Sequence, residues 1–254
     1  MKTESEFGRT ENINGMEMYF EIRGEGEPLL LLHGGGGAGV NWQLIFPEPP
    51  SGYQLITPDL RGHGRTANPL PGFTFRQLSM DVFALLDRLG ITQFKAIGMS
   101  LGAKTLLHIA TQQPDRVKAM VLVSATPYFP EQARAIMRTV TPENRSEEEW
   151  KQMREWHKHG DEQIRKLWIQ VNAFSTSYDD MNFTAPYLST IKARTLIVHG
   201  DRDPLYPVNV AMEMYSAIPN SALWVVPNGG HGPIFGAMAP RFVETALGFL
   251  KNAG

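Results

Sequence analysis

The sequence predicts an α/β fold with a mostly parallel sheet and helices on both faces. Three observations predict it. Short, wholly apolar runs recur along the chain, as strands buried on both faces require. Between them lie segments with apolar residues at helical spacing. Several of the apolar runs end in turns rich in glycine, where a strand hands over to a loop or a helix. At 254 residues the chain suits one large domain, or one domain with an insert. Apolar residues make up 42% of it, enough for a substantial core.

In chain order, Met16 to Ile22 reads as a strand, followed by a turn through Gly24-Glu25-Gly26. Pro28 to Leu32 is a fully apolar run ending in His33-Gly34-Gly35-Gly36-Gly37. Tyr53 to Thr57 is the next strand and stops at Pro58-Asp59. Phe75 to Leu89 carries Leu78, Val82, Leu85, Leu86 and Leu89 on one helical face, with Gly90 just past its end. Phe94 to Met99 is a strand, Leu101 to Thr111 a helix stopped before Pro114, and Lys118 to Ser124 a strand. Thr195 to His199, Val208 to Ile218, Ala222 to Val226 and Phe242 to Leu250 continue as strand, helix, strand, helix.

The alternation breaks between about Tyr128 and Leu188, where no core strand is predicted. Ile164, Leu167, Trp168 and Val171 form an i, i+3, i+4, i+7 stripe. Glu147 with Lys151, Asp161 with Arg165 and Glu162 with Lys166 are i, i+4 pairs in the favourable order. The expected organisation is a core of residues 1–126 and 190–254 with a helical insert over 127–189. No internal repeat or low-complexity segment is present.

The formal charge is −2, from 24 basic and 26 acidic residues, and no stretch gathers Lys and Arg into a block. Nothing electrostatic calls for nucleic acid or an anionic membrane as partner. The absence of cysteine excludes disulfides, thiolate zinc sites and a thiol nucleophile. The polar start, Met1 to Glu11, lacks the apolar stretch of a signal peptide, and Leu29 to Leu32 is too short to cross a bilayer. A cytoplasmic protein is expected, as monomer or homodimer, with a small molecule as its partner.

The chemistry centres on Gly98-Met99-Ser100-Leu101-Gly102, a G-x-S-x-G pattern. Chance alone supplies about 0.1 matches in a chain of this composition. The serine here follows an apolar strand and opens a helix, the context that the pattern needs. A strand turning straight into a helix holds the serine in strained backbone, and the flanking glycines leave room at the turn. The helix N-terminus adds free N–H groups and a positive dipole end.

A serine hydroxyl needs a base, and the base needs a group to orient it. Of seven histidines, His231 sits in a glycine-rich loop directly after the strand Ala222 to Val226. His33 is read as a brace for its glycine loop, His63 as structural, His108 as packing and His199 as a buried histidine. His157 and His159 lie in the charged insert and are read as solvated. As an H-x-H pair on a helix they face different ways, so no metal site is expected there. For the acid, Asp203 is favoured over Asp201, both following the strand Thr195 to His199, and Asp59 is a third candidate. The order Ser, Asp, His is the one this chemistry shows on a sheet of this kind. An oxyanion needs two aligned N–H donors. Leu101, after the serine, supplies one; Gly35, with Gly36 next, is the candidate for the other, since glycine lets the amide approach unobstructed. The glycine run is not a phosphate loop, for it lacks the Lys-Ser/Thr that such a loop carries and the spacing of a dinucleotide loop.

Taken together, Leu29 to Gly35, Pro58 to Gly64, the serine motif, Gly200-Asp201-Arg202-Asp203-Pro204 and Gly230-His231-Gly232 resemble the α/β-hydrolase superfamily along almost the whole chain. The resemblance implies an eight-stranded sheet with a helical cap over Ser100. It is closest to small capped members: esterases, enol-lactonases, carbon–carbon bond hydrolases and cofactor-free haloperoxidases. Relatives that open epoxides or dehalogenate carry aspartate at the position of Ser100, which disfavours those activities. The expectation is hydrolysis of a small ester or lactone through an acyl-serine, with no metal or organic cofactor. A carbon–carbon bond hydrolase using the same triad is the alternative, and a small-molecule receptor on this fold is the alternative of another class. Trp42, Phe129, Trp168, Tyr206 and Phe235 are the candidate pocket walls.

Overall fold

The computed structural model describes residues 7–251. Eight strands form one sheet: β1 (Gly8–Ile13), β2 (Met16–Arg23), β3 (Glu27–Leu32), β4 (Tyr53–Pro58), β5 (Phe94–Met99), β6 (Val117–Val123), β7 (Arg194–Gly200) and β8 (Ser221–Val226). Their spatial order is β1-β2-β4-β3-β5-β6-β7-β8. β2 runs antiparallel to both β1 and β4, and every pairing from β4 across to β8 is parallel. The parallel strands therefore end along a single edge, where ligands of such sheets bind.

β1 was not foreseen from the sequence. It carries Arg9, Thr10, Glu11 and Asn12, and of its six residues only Ile13 is buried. An edge strand of this kind is held by its ladder to β2, through Gly8 opposite Glu21 to Ile13 opposite Met16, rather than by an apolar pattern.

The helices are α1 (Phe75–Arg88), α2 (Leu101–Gln112), α3 (Glu131–Arg138), α4 (Glu147–Trp156), α5 (Asp161–Phe174), α6 (Ala185–Leu188), α7 (Val208–Ala217) and α8 (Ala239–Lys251). Alternate residues of the central strands feed opposite faces. Leu30, Leu32, Ala96, Met120, Leu122 and Ile197 pack with α1, α2 and α7 on one side. Leu29, Leu31, Ile97, Val121, Val123 and Val198 pack with Phe242, Ala246 and Leu250 of α8 and with Trp42, Ile45 and Phe46 on the other. No helix among the described residues is long and apolar enough to cross a membrane.

The chain between β6 and β7 carries α3 to α6. Ile164, Leu167 and Trp168 of the expected stripe are buried. Only one of the three expected charge pairs forms as written, Lys166 with Glu162 at 3.8 Å. Asp161 turns instead to Arg154 across the α4–α5 turn, at 2.8 Å, and Arg165 reaches Glu143 at 3.5 Å. At a helix start, Asp161 meets the guanidinium of the preceding helix before it meets the side chain one turn on. Beneath these helices, the buried Arg61 guanidinium grips Asp81 of α1 through two bonds, of 2.7 and 2.8 Å. That pair anchors the loop 59–66 to α1, and removing one partner would strand a buried charge at a cost of about 3–5 kcal/mol.

Candidate active site

Five strand ends converge on the site. β5 delivers Ser100, which has φ +46° and ψ −103°, a conformation strained for any residue but glycine. Two bonds hold it there: its amide donates to Val123 O at 2.8 Å, and its carbonyl accepts from Lys104 N at 3.0 Å. Leu101 then opens α2. β8 runs into the loop 227–233, which carries His231. The Ser124 hydroxyl, at the end of β6, donates to His231 O at 2.7 Å and fixes that loop from beneath. Ser124 itself stands at φ +50°. β7 ends at Gly200, where a Cβ would collide with the carbonyls of Gly229 and Gly230. The glycine there lets the histidine loop lie directly on the loop that carries Asp203.

The result is a hydrogen-bonded chain. His231 Nε2 lies 2.9 Å from Ser100 Oγ, and His231 Nδ1 lies 2.8 Å from Asp203 Oδ2. Asp203 Oδ1 accepts from the amides of Leu205 at 2.8 Å and Tyr206 at 3.2 Å. Burial pushes the Asp203 carboxyl up, but the hydrogen bond and charge of His231, with those two amides, outweigh it and hold the group below the usual carboxylate value. Asp203 is thus an anion fixed from both ends, and it orders the imidazole so that Nδ1 carries the proton and Nε2 is free to accept one from Ser100. Asp201, the other aspartate of that loop, lies 3.9 Å from Arg202 and outside this chain. Asp59 bonds the amides of Gly39 at 2.7 Å and Arg65 at 2.8 Å, and is structural.

The glycine loop lies beside the serine. Gly37 N donates to Gly34 O at 3.1 Å, closing a turn over Gly35 and Gly36. No backbone acceptor is found among the described residues for the amides of Gly35 or Gly36. A Cβ on Gly35 would meet Leu101 Cβ at 3.8 Å, so Gly35 faces the start of α2; one on Gly36 would meet Met153 Sδ at 3.5 Å. A cavity of about 290 Å³ opens against Gly34 and Gly35 and is walled by Trp42, Leu44, Met99, Trp156 and Phe235, with Asn41 and Gln152 as polar members.

Trp42 and Phe235, two of the five expected walls, thus line this cavity. Phe129 and Tyr206 lie elsewhere: with Phe75 they surround the Lys104 ammonium at 5.0–5.1 Å from each ring centroid. Trp168 packs edge-on against Trp150 within the inserted helices, 4.4 Å between centroids, and does not border the cavity. An apolar helical stripe buries its tryptophan in the nearest core, and here that core lies inside the insert.

Two residues near the site escaped the sequence. Lys104, one turn into α2, is buried and donates to Tyr206 Oη at 2.7 Å. Burial pulls its pKa down to about 7, against the upward pull of the Asp203 charge. A lysine in an otherwise apolar helix face was the available signal. The second is His157, read as solvated and in fact 2% exposed. It caps α4 and turns inward because Gly64 N donates to its Nδ1 at 2.9 Å. His159 is the exposed member of that pair and meets Arg65 O at 2.8 Å. His33 braces the glycine loop as expected: its Nε2 accepts from Leu60 N at 3.0 Å, so its Nδ1–H donates to Gly34 O at 2.8 Å. Among the described residues no three His, Asp or Glu side chains gather as a metal would need.

Comparison with known proteins agrees with this architecture. A family model for the α/β hydrolase fold matches residues 27–148. The chain has the α/β-hydrolase fold. A soluble epoxide hydrolase from a Corynebacterium species is 32% identical over 115 residues, 45% of this chain and only 40% of that relative's length. The 2-hydroxy-6-oxo-6-(2'-aminophenyl)hexa-2,4-dienoic acid hydrolase of Metapseudomonas resinovorans is 22% identical over 99% of this chain and 93% of its own. Among solved structures, the enol-lactonase from Burkholderia xenovorans LB400 superposes with a TM-score of 0.76 at 20% identity, covering 96% of this chain and all of that one.

Proposed function

We propose that this α/β hydrolase cleaves a small carboxylic ester or lactone through an acyl-serine intermediate. The observation that carries the proposal is the unbroken chain from Ser100 Oγ through His231 to Asp203, beside unpaired amides on the glycine loop. In this reading His231 Nε2 takes the proton of Ser100 as the hydroxyl attacks the carbonyl carbon. Asp203 stabilises the imidazolium that forms. The amides of Gly35 and Leu101 receive the oxyanion, a contribution worth about 3–4 kcal/mol for each donor in comparable sites. His231 returns the proton to the leaving alcohol, then activates the water that releases the acid. The strained Ser100 backbone keeps Oγ presented throughout. The inserted helices act as a cap, and the cavity walled by Trp42, Leu44, Met99, Trp156 and Phe235 takes an apolar portion of the substrate.

Similarity over nearly the full length to a hydrolase of a dienoic acid favours a second reading, carbon–carbon cleavage by the same residues. Parallel turnover of an aryl ester and a vinylogous diketone separates the two. The test of the shared machinery is intact mass after treatment with a fluorophosphonate. One adduct on wild type, none on Ser100→Ala, and loss of p-nitrophenyl acetate turnover in that variant are expected. A well-folded wild type that takes no adduct and turns over no substrate would overturn the proposal in favour of a receptor.

A further inference from the structure

The inserted helices meet the glycine loop through His157, and that contact has a direction. His157 Nδ1 accepts from Gly64 N, so its ring is the tautomer with the proton on Nε2. That Nε2–H donates to Gly36 O at 3.1 Å. Gly36 O belongs to the same peptide as Gly37 N–H, and Gly37 N–H donates to Gly34 O at 3.1 Å. Gly34 O in turn shares its peptide with Gly35 N–H. Gly34 O also accepts the Nδ1–H of His33 at 2.8 Å. A relay therefore runs from α4 through two peptide planes to the Gly35 amide. Each carbonyl that accepts a bond polarises its own peptide and makes the attached N–H a stronger donor. Met153, one turn before His157 on α4, lies against Gly36 on the same side.

We infer that His157 is a positioning residue that aligns the oxyanion-binding amide of Gly35 from the inserted helices, so that the oxyanion hole is complete only when α4 is docked. The inference rests on the proposal that Gly35 receives the oxyanion. It separates two roles that the insert would otherwise share. Gln163 of α5 also ties the insert to the loop 61–66, through its side-chain amide to Gly62 O at 3.0 Å, Gly64 O at 3.2 Å and Thr66 O at 3.4 Å, but none of those carbonyls leads to the glycine loop. Gln163 docks; His157 docks and aligns.

Asparagine at 157 puts its amide oxygen near the place of Nδ1 and keeps Gly64, but cannot reach Gly36. Glutamine extends an N–H donor to about the place of Nε2. The experiment compares kcat, KM and the rate of fluorophosphonate labelling for wild type, His157→Asn, His157→Gln and Gln163→Ala, with thermal melts for each. His157→Asn is expected to lose about 10- to 100-fold in kcat and in labelling rate with KM within about threefold, because alignment acts in the transition state. His157→Gln is expected to recover most of that loss. Gln163→Ala is expected to melt earlier while keeping kcat. If Asn at 157 prevents folding, Met153→Ala carries the same expectation of lower kcat at constant KM. Equal kcat losses in Gln163→Ala and His157→Asn, no rescue by glutamine, or an unchanged kcat in the position-157 and position-153 variants would overturn the inference. A wild type that fails to label at all would instead bring down the serine mechanism beneath it.

Discussion

Gly102 sets how closely the helix behind Ser100 approaches the sheet. Its amide donates to His33 O at 3.0 Å, and a Cβ there would stand 2.6 Å from Leu32 Cβ and closer still to the Leu32 carbonyl. Backbone cannot give way as the end of a side chain can, so α2 would have to lift from β3. Leu101 N and Ser100 would lift with it, away from Gly35. Gly102→Ala is therefore expected to cost about 1–3 kcal/mol of stability, in the range of buried overpacking, and to slow labelling of Ser100 sharply. Urea denaturation and fluorophosphonate kinetics on one preparation check it; a variant of wild-type stability and reactivity would show that the turn has slack. The same residue explains why the serine motif was legible in the sequence: both of its glycines stand where another atom would fill the space. His157 was not legible for the opposite reason. A histidine at the end of a helix carrying Glu147, Glu148, Glu149, Lys151 and Arg154 looks solvated, and only the fold brings Gly64 and Gly36 to its two nitrogens.

At the scale of elements, α4 does the work nearest the site. Its residues divide by the helical period: Met153 and His157 meet the glycine loop, while Gln152 and Trp156 wall the cavity. Trp150 faces the interior of the insert against Trp168. Amphipathic periodicity locates such a helix in the sequence but does not say what lies opposite each face, because that depends on contacts across about a hundred residues. The central strands were legible since their burial on both faces leaves a continuous apolar record, whereas β1 left almost none. For substrate selection, Trp156→Ala is expected to enlarge the cavity beside Gly35. Relative kcat/KM for p-nitrophenyl hexanoate over acetate should rise by about tenfold, the worth of a methylene or two in an apolar pocket. An unchanged ratio would mean that the acyl chain lies on the far side of Ser100, toward the rings around Lys104.

At the scale of the molecule, the buried titratable groups give the fold a directional response to pH. Burial holds His63 down to about 4 and His157 down to about 3, the latter with help from His63, and His33 lies well below the ordinary histidine value for the same first cause. The three rings adjoin, with centroids 5.0 Å apart from His33 to His63 and 5.9 Å from His63 to His157. An unfolded chain protonates them near pH 6.5, the folded one only much lower. Between about pH 6.5 and 4 the unfolded state therefore binds more protons, and stability falls as pH falls. Asp59 works the other way: burial raises it to about 6, so the folded state takes that proton first and recovers part of the loss between about pH 6 and 4. Burial also lowers His108, so four histidines against one aspartate leave a net uptake of protons on unfolding, each worth about 1.4 kcal/mol per pH unit. Lys104, lowered to about 7, has the matching effect on the alkaline side, where stability should rise from about pH 7 to 9 as the buried amine sheds its charge. Urea denaturation from pH 4 to 9 reads both limbs. His157→Gln should lower the acid slope by about one proton, and Lys104→Met should flatten the alkaline rise. Stability constant from pH 6.5 to 4 would mean that the histidines take up their protons in the folded state, which would break the bond from Gly64 N to His157 on which the inferred alignment of Gly35 depends.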